Sequence, residues 1–191
     1  MTKVIEIIGL GRAGKSTQVE LLENSLKSKG YSVAIIYDRE RAEDLKIPFT
    51  EIVGYKLVFA AKALDQYFEH KDKVDYIIIE RGWIDFKVWI EAERTQGHIV
   101  QERANQLMTT FSEYNEDVDK VICLLVDLEV AKERQEIILE KQDDKFIDFI
   151  IGDYAKSLKQ AYSNFKDCVI VDGSLSKEDV HTKIVSIVEK V

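Results

Sequence analysis

The residues with the most specific chemical meaning stand near the start of the 191-residue chain. Residues 9–16 read Gly-Leu-Gly-Arg-Ala-Gly-Lys-Ser, which has the spacing G-x-x-x-x-G-K-S of a phosphate-binding loop. Glycines let the main chain fold around a phosphate with its N–H groups pointing inward, and the following helix adds its positive dipole end. In such a loop Lys15 reaches the β- and γ-phosphates, and the Ser16 hydroxyl binds Mg²⁺. We therefore predict that ATP and Mg²⁺ bind at Gly9, Gly11, Arg12, Ala13, Gly14, Lys15, Ser16 and Thr17.

Motifs that the sequence lacks narrow the class of nucleotide-using protein. A GTPase carries an N/T-K-x-D segment that reads guanine and a D-x-x-G switch, and neither occurs here. Motor and transport ATPases usually have larger domains. The phosphate-binding loop therefore favours a kinase.

Two charged residues, Glu80 and Arg81, follow the apolar run 76–79. Ligands of parallel α/β sheets bind in the crevice at the carboxyl ends of the strands. We therefore predict that Glu80 orients Mg²⁺ through water and that Arg81 projects into the crevice. A surface ion pair that closes the strand is the alternative interpretation.

A second charged group, which includes Asp38 and Arg39, follows the apolar run 33–37. A guanidinium group binds phosphate through two hydrogen bonds, and a carboxylate can accept the proton of a hydroxyl. We predict that an acceptor substrate meets Asp38 and Arg39 at this mouth of the sheet. A solvated charge cluster in a loop is the alternative.

The rest of the sequence predicts the elements that hold these residues in place. Continuous apolar runs rich in β-branched residues are typical of strands covered on both faces, and helical periodicity fills the stretches between them. This alternation predicts a single α/β domain over residues 1–191, with a five-stranded parallel sheet and helices on both faces. The predicted strands are 4–8, 33–37, 76–79, 121–126 and 169–171, and the predicted helices include 18–29, 100–114, 147–165 and one that Ser176 caps.

Composition excludes several other classes of protein. With 27 basic and 35 acidic side chains the net charge is −8, which disfavours nucleic acid polymers and anionic membranes as partners. The sequence has no apolar run near the ~20 residues of a membrane span and no signal-peptide pattern. Cys123 and Cys168 have no metal-type spacing, and Cys123 lies inside the apolar run 121–126, so we expect an inert, reduced thiol there. We therefore expect a cytoplasmic protein whose partner is a small molecule.

Residues 9–22, Gly-Leu-Gly-Arg-Ala-Gly-Lys-Ser-Thr-Gln-Val-Glu-Leu-Leu, resemble the phosphate-binding loop and first helix of the thymidylate kinase family. The resemblance covers nearly the whole chain and implies a three-layer P-loop kinase fold with a small lid, here about residues 135–145. Arg12 matches an arginine that grips the transferring phosphoryl group in members whose lid lacks arginine, as this one does. Arg134 matches a position on the adenine side, with a surface helix residue as the alternative. Related kinases are homodimers, which makes a homodimer a candidate assembly.

The resemblance also implies roles for residues on the acceptor side. Arg39 and Arg81 match family arginines that hold the acceptor's phosphate, and Phe59 matches a phenylalanine that stacks on thymine. Trp83 is predicted to wall a base pocket, with a core residue as the equal alternative.

Departures from the family pattern concern the substrate more than the fold. Gly11 replaces an acidic residue that contacts the sugar 3′-hydroxyl, and Ala63 replaces the arginine that reads thymine. Gly82 replaces a tyrosine, and no proline follows Glu40. The residues that transfer the phosphoryl group match the family pattern, whereas the arginine that reads thymine is replaced. The dipeptide Glu80-Arg81 also resembles the deoxynucleoside kinase branch.

Three functions follow as hypotheses. The first is ATP-dependent phosphoryl transfer to a nucleoside monophosphate such as dTMP, which needs no general base. The second is a deoxynucleoside or other small-alcohol kinase that uses Asp38 as its base. The third is a nucleotide-binding regulator that has lost the transfer reaction.

Overall fold

A computed structural model describes residues 1–37, 45–136 and 152–191. Its sheet has five strands in the order β2-β3-β1-β4-β5, and every neighbouring pair is parallel. This arrangement confirms the predicted fold class. The strands are β1 (Lys3–Gly9), β2 (Val33–Ile36), β3 (Tyr76–Glu80), β4 (Lys120–Leu125) and β5 (Val169–Asp172).

The helices of the described residues cover both faces of the sheet. Helices α1 and α7 contact each other on one face, and α2, α3 and α6 pack on the other. Since the sheet is covered on both sides, its central strands are continuous apolar runs rather than alternating ones. The helices are α1 (Lys15–Ser28), α2 (Ile52–His70), α3 (Trp83–Thr95), α4 (Gln101–Met108), α5 (Leu128–Glu136), α6 (Asp153–Asn164) and α7 (Lys177–Val188).

Strand β1 lies at the centre of the sheet between β3 and β4. Its residues Ile5, Ile7 and Ile8 are fully buried, which fixes the strand firmly in the core. Because parallel strands end at the same edge, the loop after β1 and the residues after β3 meet at one side of the molecule. The sheet therefore brings the two predicted functional segments together.

One predicted helix is shorter than its periodicity indicates. The pattern over 100–114 predicts a single helix, but α4 ends at Met108 and a 3₁₀ helix follows at Ser112–Asp117. The hydroxyls of Thr109 and Thr110 both bond to the carbonyl of Gln106, and such side-chain bonds compete with helix propagation. Two consecutive β-branched residues add to this effect.

Other helix boundaries agree more closely with the prediction. Helix α1 begins at Lys15, three residues before the predicted start at 18, and Gly30 follows its end with a φ of 90°. Ser176 caps α7 by accepting a hydrogen bond from the amide of Asp179, as predicted. The first part of the predicted helix 147–165 lies outside the described residues. Among the described residues, we find no helix long and apolar enough to span a membrane.

Candidate active site

The loop between β1 and α1 has the backbone of a phosphate cradle. Gly9 has a φ of 133°, and a Cβ atom there would lie 2.0 Å from the carbonyl oxygen of Leu124 on β4. Only glycine fits that position. Arg12 and Gly14 also adopt positive φ angles, 59° and 90°, so the chain turns sharply before α1 begins. The tight turn explains why the motif needs glycine at its ends.

The start of α1 is suited to an anion. Its N-cap is Gly14, which has no side chain of its own to cap the helix through a hydrogen bond. Uncapped amides and the helix dipole together favour a negative ligand. The side chain of Lys15 folds back over the loop, and its Nζ donates a 2.7 Å hydrogen bond to the carbonyl oxygen of Leu10. The structure thus places the lysine at the cradle that the motif predicts.

Ser16 and Glu80 come from different elements and meet at this point. The Ser16 hydroxyl donates a 2.6 Å hydrogen bond to Oε1 of Glu80, at the end of β3. Glu80 is only 3% exposed. The alternative of a surface ion pair is therefore wrong for Glu80. A hydroxyl and a carboxylate are both oxygen ligands that Mg²⁺ prefers, so these two side chains fit the predicted metal role.

A pocket of about 490 Å³ opens beside the loop. Arg134 on α5 spans it, since one guanidinium nitrogen donates to the carbonyl of Arg12 at 3.1 Å and another to that of Gly173 at 2.9 Å. Arg134 is therefore partly buried against the loop rather than a plain surface residue. The lining of this pocket includes the predicted loop residues Arg12, Ala13, Gly14, Lys15, Ser16 and Thr17, together with Arg134, Gly173 and Leu175.

Arg81 lies immediately after β3 in an unusual backbone conformation, with a φ of 57°. Its guanidinium donates to Oδ2 of Asp85 at 3.2 Å and to the hydroxyl oxygen of Tyr162 at 3.1 Å. The Tyr162 hydroxyl in turn donates to the other carboxylate oxygen of Asp85 at 2.5 Å. Arg81 is 7% exposed, so it too is more than a surface charge.

A second buried cation lies beside Asp85. The Nζ atom of Lys56 on α2 is 3.9 Å from Oδ2 of Asp85 and 3.9 Å from the centre of the Trp89 ring. Burial alone would raise the pKa of Asp85, but the positive charges of Arg81 and Lys56 outweigh it and hold that pKa below its usual value. Asp85 is therefore ionised, and the group forms a buried charge network at the carboxyl end of β3.

The aromatic residues predicted for the acceptor side have different surroundings. Phe59 is 2% exposed and stacks on Tyr55, with ring centres 5.7 Å apart. Its role towards a base stays a prediction. Trp83 is fully buried, packs edge-on against Tyr67, and donates its indole N–H to the carbonyl of Tyr114. Trp83 is therefore a core residue, which corrects its prediction as a pocket wall and agrees with the alternative.

Some of the predicted residues are not among those that the structure describes. Asp38 and Arg39 lie outside the described residues, and so do residues 137–145 of the predicted lid. Ala63, at the position of the family's thymine-reading arginine, is fully buried. The polar role of that position is therefore absent from this chain.

Sequence reasoning missed four residues of the site region: Glu6, Lys56, Asp85 and the hydroxyl of Tyr162. Two of them carry a signal that could have been read. Glu6 interrupts the apolar run of β1, and Lys56 lies one helical turn before Phe59, on the apolar stripe of α2. A charged residue on an apolar stripe indicates a buried partner, because burying a charge without one is costly.

Comparisons with known proteins agree with this arrangement. A family model described as deoxynucleoside kinase matches residues 5–191. A thymidylate kinase from Nitrosomonas eutropha is 26% identical over 207 residues, covering 98% of this chain and 93% of that protein.

Two solved structures share the fold over nearly their whole length. Deoxyadenosine kinase from M. mycoides with bound dATP superposes with a TM-score of 0.70 at 17% identity, covering 97% of this chain and 99% of that one. Thymidylate kinase from Candida albicans superposes with a TM-score of 0.66 at 19% identity, covering 99% and 92%. At such identities the likeness concerns the fold.

Proposed function

The chain belongs to the deoxynucleoside kinase family, and we propose that it transfers the γ-phosphoryl group of ATP to the hydroxyl of a deoxynucleoside. The family match over residues 5–191 supports this class of acceptor, and the 2.6 Å hydrogen bond between Ser16 and Glu80 supports a transfer site. This hydrogen bond joins the phosphate-binding loop to the end of β3, where Arg81 begins the acceptor side. The residues that we propose for the donor and the acceptor thus lie at one edge of the sheet.

The donor side acts by holding charge in place. Phosphoryl transfer asks little covalent chemistry of a protein, so positioning and electrostatic stabilisation dominate. We propose that the N-terminal amides of α1 and the Lys15 ammonium group bind the β- and γ-phosphates of ATP. Arg12, at the tip of the loop, neutralises charge that develops on the transferring group. Arg134 orders the loop from the adenine side through its two hydrogen bonds to main-chain carbonyls.

Ser16 and Glu80 are the described residues that fit Mg²⁺. Both offer oxygen atoms, and they already lie within hydrogen-bonding distance of each other. When bound, the ion would neutralise negative charge on the phosphate tail. Ser16 would approach it directly, whereas Glu80 would orient it through water.

The acceptor side needs a base if the acceptor is a hydroxyl. A neutral hydroxyl must lose its proton as it attacks, and we propose that Asp38 accepts that proton. Arg81, which Asp85 and Tyr162 hold in a fixed orientation, faces the same end of the sheet. We propose that Arg81 and Arg39 align the acceptor or its phosphate.

A nucleoside monophosphate is the second candidate acceptor. The 26% identity to a thymidylate kinase and the arginine within the phosphate-binding loop favour it. Under this proposal Arg39 and Arg81 bind the acceptor's phosphate, which is already ionised. No general base is then required.

A single screen with one variant separates these proposals. Release of ADP is measured with each deoxynucleoside and each nucleoside monophosphate, for the wild type and for Asp38→Asn. Turnover of a deoxynucleoside that Asp38→Asn abolishes supports the first proposal, whereas turnover of a monophosphate that the variant leaves nearly intact supports the second. Asp65→Asn, an exposed change on α2, is the control. Binding of MgATP with no transfer to any acceptor overturns both and leaves a nucleotide-binding regulator.

A further inference from the structure

Glu6 is a carboxylate in the middle of the central strand. It is fully buried, and its neighbours in the sheet register are Ile79 on β3 and Val121 on β4. Placing an acidic side chain there is costly unless hydrogen bonds replace its water. The phosphate-binding loop begins only three residues later, at Gly9. A buried carboxylate at this position therefore needs hydrogen-bond donors from the protein.

Three main-chain amides donate hydrogen bonds to the carboxylate of Glu6. Oε1 of Glu6 accepts hydrogen bonds from the amides of Gly82 at 2.9 Å and Asp85 at 2.8 Å, and Oε2 accepts one from the amide of Ile84 at 3.2 Å. These amides belong to the N-cap and first turn of α3. The N-cap is a glycine with no side chain of its own, so Glu6 caps this helix from another strand.

The fit between Glu6 and Gly82 is close. A Cβ atom on Gly82 would lie 2.8 Å from Oε2 of Glu6 and 2.9 Å from a methyl group of Ile79. A glycine is therefore required there while Glu6 keeps its place. A residue with a side chain at position 82 would therefore force Glu6 or Ile79 to move.

The capped turn directly follows Arg81 in the chain. Arg81 immediately precedes Gly82, and its left-handed backbone, with a φ of 57°, is unfavourable for a residue with a side chain. The surroundings must hold such a conformation. The amide of Arg81 bonds to the carbonyl of Ile7 at 3.1 Å, and Glu6 holds the next residues. Asp85 accepts a hydrogen bond from the Arg81 guanidinium through its carboxylate, and its main-chain amide donates a hydrogen bond to Glu6.

We propose that Glu6 is a positioning residue that fixes the Arg81 turn and so aims the guanidinium of Arg81 at the acceptor. This inference rests on the proposed role of Arg81 in aligning the acceptor. Glu6 acts through both members of the Arg81–Asp85 pair, and it links them to the strand that leads into the phosphate-binding loop. Glu6 thus serves the acceptor side, although it lies on β1, the strand that leads into the phosphate-binding loop.

The test compares Glu6→Gln and Glu6→Leu with Glu93→Gln. Glutamine keeps one accepting oxygen, whereas leucine fills similar space and accepts no hydrogen bond. Glu93 is also a buried carboxylate on the same helix, but it accepts from Tyr154 and lies far along α3 from Arg81. Acceptor KM, kcat and the Kd of MgATP are measured for each variant, and circular dichroism checks that each is folded.

We expect the acceptor KM to rise about tenfold in Glu6→Gln and further in Glu6→Leu, since fewer hydrogen bonds hold the turn. The Kd of MgATP should change less than twofold in both, and Glu93→Gln should match the wild type in every constant. A folded Glu6→Leu protein with an unchanged acceptor KM would overturn the proposal. So would an equal loss on the ATP side.

Hydrogen exchange provides a readout that does not depend on activity. Amides of residues 82–85 should exchange at least tenfold faster in Glu6→Gln, while those of α1 keep their rates. If the wild type phosphorylates no acceptor, the proposed function fails, and exchange still decides whether Glu6 fixes the turn. Unchanged exchange at residues 82–85 would overturn the positioning role whatever the activity.

Discussion

The Ser16 hydroxyl lies 2.6 Å from a carboxylate oxygen of Glu80, although 64 residues separate them in the chain. The contact exists because β1 and β3 are neighbours and parallel, so the helix after one strand begins beside the end of the other. It brings a hydroxyl and a carboxylate to the mouth of the phosphate cradle. The pair therefore lies where we propose that a divalent cation meets the nucleotide.

Replacing Glu80 by glutamine should weaken the response to Mg²⁺ without removing the nucleotide site. The amide keeps the size of the side chain and its bond to Ser16 but loses the negative charge. Residues that hydrogen-bond to the ligands of a metal typically contribute about 10- to 100-fold to metal affinity or to activity. We therefore expect the Mg²⁺ concentration for half-maximal activity to rise roughly tenfold in Glu80→Gln.

That expectation is checked by titrating Mg²⁺ at fixed ATP. Binding of ATP in the presence of EDTA should be the same for Glu80→Gln and the wild type, because the change touches no phosphate-binding amide. An unaltered Mg²⁺ requirement would show that Glu80 has no part in the metal site.

Lys15→Ala should remove most of the affinity for the phosphate tail of ATP and most of the turnover. A preorganised charged donor at a reacting phosphate typically contributes about 10²-fold or more to the rate. Binding is measured by titration calorimetry with MgATP, and turnover by release of ADP. Lys27→Ala, at an exposed ion pair with Glu23, is the matched control and should behave like the wild type. Undiminished binding in Lys15→Ala would contradict the whole assignment of the loop.

Much of this donor site could be read from the sequence, because it is local. One short motif supplies the glycines, the lysine and the hydroxyl, and the buried strand before it fixes its context. Glu80 was also within reach, since strand ends are where parallel sheets bind ligands. In each case the residue's position along the chain determines its place in the fold.

The acceptor side could be read only in part, because it depends on side chains from distant elements. The network around Asp85 joins Lys56 on α2, Arg81 after β3 and Tyr162 on α6. No spacing in the sequence indicates that these three converge. For Trp83 the sequence left two interpretations open, because an aromatic residue at helical spacing fits a pocket wall and a core equally well. In the structure Trp83 is fully buried in the core.

Arg134→Ala should raise the KM for ATP about tenfold while leaving kcat within twofold. The guanidinium makes two hydrogen bonds to carbonyls of residues that line the donor pocket, those of Arg12 and Gly173, and charged hydrogen bonds typically contribute about 1.5–3 kcal/mol. Under the proposal that Arg134 lies on the adenine side, its loss should weaken the binding of ATP more than the transfer step. Arg103→Ala, exposed on α4, serves as control. A loss confined to kcat would place Arg134 among the groups that act on the transferring phosphate.

The two cysteines should differ sharply in reactivity. Cys123 is fully buried in β4, and the neighbouring Cys168 thiol together with burial raises its pKa far above the ordinary value. A hydrogen bond from Cys123 lowers the pKa of the half-buried Cys168. Since the thiolate is the nucleophile, iodoacetamide should modify Cys168 first. Peptide mass spectrometry over a time course measures both sites, and equal rates, or faster labelling of Cys123, would contradict this order.

The stability of the protein should fall between pH 5 and pH 8 because of Glu6. Burial raises the pKa of this carboxyl from 4.5 to about 7, the charge of nearby Asp85 adds to the rise, and the hydrogen bonds from three amides reduce it only in part. In that range the folded protein keeps the proton of Glu6 while the unfolded chain has lost it. The folded state therefore binds more protons, and raising the pH favours unfolding until the folded carboxyl has ionised near pH 7.

Each unit of pKa shift corresponds to about 1.4 kcal/mol, so the free energy of unfolding should drop by about 3 kcal/mol across this range on account of Glu6. Urea unfolding of the wild type and of Glu6→Gln at several pH values measures the effect as a difference, in which the other titrating groups cancel. Glutamine has no proton to lose, so the advantage of the wild type over Glu6→Gln should shrink as the pH rises. If the difference between the two proteins stayed constant from pH 5 to pH 8, Glu6 would have to be ionised throughout, and its pKa would then lie near the unfolded value despite its burial.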